Sequence, residues 1–238
     1  MKTDHPLLIM KSLLSSLLHL FYPHACDGCG MELSPAEKIL CLRCHRRLPF
    51  TGFQHISNNP VEKLFWGRVD IRHAMATCYY RKGSLLQQLI YQFKYNQRED
   101  IAGHLGRQMG LALSQSSWLY ETDGLLAIPM HPDRIRKRGY NQAVVLATGV
   151  AAVTGKPLLT DIIVRNNQAA SQTRKGRLLR WQNVSESFAL LQRPNLEGRH
   201  LLLIDDVITT GATIEACSQL LISAGARVSV CTLAIARH

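Results

Sequence analysis

Two adjacent carboxylates, Asp205 and Asp206, follow four apolar residues (201–204) and precede Thr209, Thr210, Gly211, Ala212 and Thr213. Acids in that position can hold hydroxyls or a cation. A glycine among hydroxyl side chains at the mouth of a helix exposes backbone N–H groups to an anion, and Gly211 lets the backbone come close. A second group has metal-ligand spacing: Cys26 and Cys29 form one Cys-x-x-Cys pair, and Cys41 and Cys44 form another. Four thiolates complete a tetrahedral zinc shell with no open position, so the expected metal is structural Zn²⁺. A third group is cationic. Arg134, Arg136, Lys137 and Arg138 crowd together just after Pro129, Met130 and His131, and forked guanidinium hydrogen bonds suit a pyrophosphate.

These groups can act together only if the surrounding elements bring them to one place. Residues 201–204 read as a strand covered on both faces, ending at Asp205, because burying two carboxylates inside a sheet is costly. The acids then lie at the strand's carboxyl end, where open α/β folds bind ligands. Residues 214–224 read as a helix closed by Gly225. Upstream, 74–80 has the pattern of a strand, and 85–95 and 101–113 have the pattern of helices. From Gly124 onward strands at 125–130, 157–164, 187–191, 200–204 and 227–235 alternate with helical segments, one of them at 142–153. That alternation predicts a doubly wound, mainly parallel sheet flanked by helices. The run 134–138 is expected as a basic loop facing the acids. The basic stretch 165–188 has the polarity of a lid. Lys94, set between Phe93 and Tyr95, reads as a helix-end cation favoured by the dipole, or as a cation facing a phosphate. His73 and His104 read as ordinary surface or core residues, and 51–60 as a polar connection.

Lys and Arg number 28 against 17 Asp and Glu, a formal charge of +11, which favours phosphorylated ligands or polyanionic partners, single-stranded DNA among them. The seven cysteines are an odd number, four of them in two close pairs. That arrangement favours a metal and buried thiols over disulfides, and a reducing cytoplasm. The apolar stretch 7–22 is interrupted by Lys11, and a polar stripe of Ser12, Ser15, Ser16 and His19 continues at helical spacing. The stretch reads as an amphipathic helix that docks on the protein, not as a transmembrane span. The expected organisation is an N-terminal helix (1–22), a four-cysteine zinc-ribbon-like module (23–50), and a domain over 60–238 with a hood over 60–123 and a core over 124–238.

Taken together, the paired cysteines, the segment around Ile128-Pro129-Met130-His131-Pro132 with Arg134, Arg138, Gly139, Tyr140, Asn141 and Gln142, then Gln172, Arg180 and Asn183, and the string at 201–213 resemble the ComF/GntX family. The resemblance covers nearly the whole chain. It implies a type I phosphoribosyltransferase-like domain behind a zinc-ribbon-like segment, and a link to DNA uptake or the use of DNA as a nutrient, with DNA-processing proteins as partners. It further implies that Asp205 and Asp206 meet the ribose hydroxyls and a nearby Mg²⁺ of phosphoribosyl pyrophosphate (PRPP), that Thr209 to Thr213 wrap the 5-phosphate, and that Pro129, Met130 and His131 border the pyrophosphate. Arg134 and Arg138 are then the candidate catalytic groups. Two positions depart from the transferase pattern. Purine-salvage members of the superfamily carry an acid where Thr209 stands, and Pro-Met-His replaces a small-residue turn in the pyrophosphate loop.

Overall fold

The computed structural model describes residues 24–165, 188–191 and 195–236. The expected N-terminal helix and most of the expected lid lie outside them. The chain divides into two compact units, Met1–Leu48 and Pro49–His238. In the first, a short helix α1 (Leu42–Arg46) follows an isolated antiparallel bridge between Ala25 and Glu32.

The second unit is built on four parallel strands. Strand β1 (Ala74–Tyr80), β2 (Gly124–Ala127), β5 (His200–Ile208) and β6 (Arg227–Ala236) stand in the order β1-β6-β5-β2. Leu201 to Ile204, Val228 and Val230 are buried, as expected of strands covered on both faces. A separate antiparallel pair joins β3 (Ile163–Arg165) to β4 (Phe188–Leu190). Helix α2 (Pro60–Lys63) precedes β1, and α3 (Leu85–Tyr95), α4 (Glu99–Leu113), α5 (Pro132–Arg138) and α6 (Gln142–Thr154) lie between strands. A further helix, α7 (Ala212–Ser223), joins β5 to β6.

Handedness explains where the ligand crevice falls. From β1 through α3 and α4 to β2 the chain crosses the sheet in one direction. It continues the same way through α6 to Leu158, which bridges to Leu125 on the far side of β2. From β5 through α7 to β6 it runs in the opposite direction. Right-handed crossovers therefore send α4 and α6 to one face and α7 to the other. The reversal lies between the neighbours β2 and β5, and the carboxyl ends of those two strands frame the crevice.

Helices α4 and α6 approach so closely that only glycine fits between them. A Cβ on Gly149 would stand 2.8 Å from the Gly103 carbonyl oxygen, and one on Gly106 would collide with that of Leu146. The buried side of α4, including Ile101, Leu105 and Met109, and that of α6, including Leu146 and Val150, form the core over this face.

Three expectations are corrected. Strand β5 does not end at Asp205. It continues through both acids to Ile208 because β6 is long enough to pair with it, Asp205 opposite Thr232 and Val207 opposite Ala234. The cationic run at 134–138 is not a loop but helix α5. Pro132 opens it, the His131 ring accepts the Asp133 N–H at its start, three cations sit in its last turn, and Gly139 closes it at φ 84°. The strands expected at 125–130 and 157–164 are shorter. Pro129, with no N–H to donate, follows β2, and Asp161 at φ 57° turns the chain just before β3. The stretch 51–60 also belongs to the second unit's packing: Thr51 N–H donates to the Thr77 carbonyl at 3.0 Å, and Phe53 is buried.

Candidate functional site

Each unit carries a candidate site. In the first, the sulfurs of Cys26, Cys29, Cys41 and Cys44 all lie within 4.8 Å of one another. The Cys29 and Cys41 sulfurs are 3.7 Å apart, close to the edge of about 3.8 Å expected for a tetrahedron of thiolates around an ion at about 2.3 Å. The backbone is folded to serve thiolates: Cys26 Sγ accepts the N–H of Cys41 at 3.2 Å and of Gly28 at 3.4 Å, and Cys41 Sγ accepts that of Cys44 at 3.4 Å. Gly30, at φ 73°, completes the first turn. Burial pushes the Cys26 thiol up, but the N–H groups of Cys41, Gly28 and Cys29 outweigh it and bring it down to about 7. Cys44 is pushed up to about 12 by burial and then by the crowding of Cys29, Cys26 and Cys41, a burden that a cation at the centre would relieve. The cluster is thus able to hold a metal ion.

In the second unit a cavity of about 690 Å³ opens over the carboxyl ends of β2 and β5. Asp205 and Asp206 form part of its wall, with Thr209 and Thr213 from the following turn. Adjacent strand residues point to opposite faces. Asp206 meets Lys94 of α3, Nζ to Oδ2 at 2.6 Å. Asp205 is close enough to α7 for its charge to act on the thiol of Cys217, which burial already raises. The Asp206 N–H donates to Asp205 Oδ1 at 2.8 Å. Burial, and then the charge of Asp206, push the Asp205 carboxyl up to about 7 against the opposing pull of that N–H and of Lys94.

The Thr/Gly turn divides between two spaces. Thr210, Gly211 and Ala212 line a smaller hollow of about 60 Å³ that Asp205, Thr209 and Thr213 share. Gly211 holds φ 78° at the start of α7, and a Cβ there would stand 3.0 Å from the ring of Phe65. Arg68 braces the turn, donating to the Thr210 carbonyl at 3.0 Å and pairing with buried Glu215.

Across the cavity stand Pro129, Met130, Arg134 and Arg138, while His131 serves as the cap of α5 and Arg136 pairs with Asp133 on the exposed side. Arg138 donates to the amide oxygen of fully buried Gln142 at 3.0 Å and lies over the Tyr95 ring, 5.5 Å from its centroid. Asn141 ties the start of α6 to β2 by donating to the Ile128 carbonyl at 3.0 Å. The Tyr140 hydroxyl donates to the Phe93 carbonyl, next to Lys94. Tyr140 and Gln142 are therefore scaffolding; neither lines the cavity.

Sequence reasoning placed Arg165 at the start of the expected lid and passed over several other wall residues. Arg165, at the end of β3, faces the same space; burial, and then the charge of Arg134, lower its pKa. Tyr80, Gln87, Tyr91 and Tyr95 form the far wall. A helix-face pattern reveals that Tyr91 and Tyr95 are neighbours, but not that α5 brings Arg138 to them.

A family model described as a phosphoribosyl transferase domain matches residues 140–238. The DNA utilization protein YhgH of Salmonella typhimurium is 33% identical over 144 residues, 59% of this chain and 63% of its own length. Competence protein F of Haemophilus influenzae is 28% identical over 218 residues, 84% of this chain and 92% of its own. Among solved structures, glutamine PRPP amidotransferase from B. subtilis overlaps 60% of this chain and 30% of its own at 22% identity, with a TM-score of 0.42. This chain spans under two thirds of YhgH but nearly all of the competence protein. This chain is thus similar over most of its length to a competence protein, and the C-terminal part of its parallel sheet matches the phosphoribosyl transferase domain, the combination that the ComF/GntX resemblance implies.

Proposed function

We propose that the cavity binds PRPP or a related phosphoribosyl ligand. The observation that carries this reading is the sharing of one space by the acid pair, the Thr/Gly turn and the three arginines Arg134, Arg138 and Arg165. The acids suit ribose hydroxyls. The hollow at Thr210 to Thr213, with the N–H groups of the first turn of α7, suits a 5-phosphate. The arginines, on the opposite wall, suit a pyrophosphate. Two adjacent carboxylates are oxygen donors of the kind that Mg²⁺ takes together with substrate phosphates, but one oxygen of Asp206 is already engaged by Lys94.

In a transfer reaction the bond from the anomeric carbon to pyrophosphate breaks as an acceptor attacks. Arg134 and Arg138 would stabilise the charge that develops on the leaving group, and the acids would favour the cation-like sugar. Thr209 offers a hydroxyl where purine-salvage relatives place an acid, so this wall provides binding without a base for a purine acceptor.

Calorimetry with PRPP and Mg²⁺ tests the pocket. Replacing both acids, Asp205→Ala with Asp206→Ala, is expected to weaken binding by on the order of a hundredfold. Undiminished binding in the double variant would remove the proposed site.

For the first unit, the four sulfurs and their spacing support zinc as the bound metal. All seven thiols are free of disulfides, which fits a cytoplasmic setting. Among the described residues no helix is long and apolar enough to cross a membrane. A second reading, binding of single-stranded DNA, is favoured by α1, which exposes Arg43 and Arg46 beside Leu42, with Arg47 just beyond.

A further inference from the structure

The acid pair already has a cation. Lys94 Nζ stands 2.6 Å from Asp206 Oδ2, and the two side chains are only 17% and 14% exposed. An ion pair so shielded is stronger than one at an open surface, and removing one partner leaves the other poorly solvated. The lysine is also held in place. It lies in the last turn of α3, whose Ser84 cap and buried Leu86, Leu89 and Phe93 anchor the helix, and the adjoining Phe93 carbonyl accepts the Tyr140 hydroxyl. Arg134, Arg138 and Arg165 line the same cavity but form no ion pair with either acid among the described residues. The cations thus divide into two roles: three are available for phosphate, and one neutralises a carboxylate.

A divalent metal at such a pair of acids would do two things: offset their mutual repulsion and hold the carboxylate toward the ligand. A lysine on Asp206 does the first without any ion from solution, and it occupies the carboxylate oxygen that a metal would take. We propose that Lys94 is a built-in counter-cation of the acid pair, so that the cavity takes PRPP with little dependence on divalent metal. This rests on the phosphoribosyl reading of the cavity. Lys94 acts here as a positioning residue, through Asp206, and its loss should open the acid pair to Mg²⁺.

The test uses the full chain and three forms: wild type, Lys94→Met, which keeps length and helix propensity without the charge, and Lys94→Arg, which keeps the charge. Two measurements are made on each. The first is the shift of the thermal midpoint on titrating Mg²⁺ with no PRPP present. Lys94→Met is expected to be stabilised by Mg²⁺, and wild type and Lys94→Arg are not. The second is PRPP affinity by calorimetry, with Mg²⁺ and with chelator. Wild type should lose no more than about threefold on chelation, and Lys94→Met about tenfold or more. A wild type that loses affinity on chelation as steeply as Lys94→Met overturns the proposal. A variant equally weak with and without metal also overturns it, because Lys94 would then serve the ligand or the fold directly. If wild type binds no PRPP under either condition, the reading of the cavity fails, and the ligand-free Mg²⁺ titration still decides for or against Lys94.

Discussion

Asp205 is a residue on which pH acts near neutrality. Its carboxyl, pushed to about 7 chiefly by burial and then by Asp206, holds a proton in the folded protein that it releases in the unfolded chain near the ordinary aspartate value. The stability that this proton linkage contributes is fully present below that ordinary value and is lost as pH rises through about 7. The thermal midpoint of the ligand-free protein is therefore expected to fall between mildly acidic and mildly alkaline conditions, and Asp205→Asn to flatten that fall by an amount on the order of 1–2 kcal/mol. The same decline in wild type and variant would show that Asp205 does not titrate in this range. Asp206, one residue on, faces Lys94 instead. Two carboxylates adjacent in sequence thus meet different neighbours because a strand turns them to opposite faces.

Among elements, the contact between α4 and α6 is the most demanding. These helices carry Gly103, Gly106 and Gly110 against Leu146, Gly149 and Val150, and they meet backbone to backbone. Gly149→Ala is expected to lower stability by about 1–3 kcal/mol, because the new methyl group must displace main-chain atoms of α4, which cannot give way as a flexible side chain would. Denaturant unfolding checks this, with Gly155→Ala as a comparison. Gly155 has open space around it, so a side chain there costs only what its left-handed φ of 69° imposes. An equal cost for both would mean that the helix contact is looser than it stands. Helix α5 illustrates how an element re-aims its residues. Once 132–138 is helical, alternate cations no longer share a side, so Arg134 and Arg138, one turn apart, reach the cavity while Arg136 points to Asp133.

At the scale of the whole molecule, the two units rest on different kinds of stabilisation. The second buries a large apolar core, whereas the first, among its described residues, buries only Leu33, Ile39, Leu40 and Leu48 beside Cys26 and Cys44, so a metal held by its four cysteines is proposed to supply much of its stability. Prolonged chelation, or Cys26→Ser with Cys29→Ser, is expected to release a single zinc and expose the first unit to proteolysis near α1, while PRPP binding by the second persists. On the proposed reading of α1 as a DNA contact, single-stranded DNA binding is expected to fall on metal removal and, before it, to weaken steeply with salt. Unchanged proteolysis after complete metal loss would show that the four thiols hold the unit without an ion.

Local chemistry was legible in the order of the residues alone. Cysteines spaced as two Cys-x-x-Cys pairs can curl so that four sulfurs cluster; four apolar residues followed by acids and a Thr/Gly turn make a strand, a crevice edge and a helix mouth. Strand β1 and helix α3 could be read to the residue, the helix because Leu85, Leu86, Leu89, Ile90 and Phe93 mark one face within its own length. Which distant groups meet was settled by the folded sheet and its crossovers. Lys94 joins Asp206 across more than a hundred residues, Arg165 comes in from an antiparallel strand pair separate from the main sheet, and β5 runs on through both acids because β6 lies alongside to pair with it. Local propensity is set by near neighbours along the chain, but a side chain's electrostatic partners and a strand's length depend on what the crossover rule packs beside them, and that information is spread over the whole sheet.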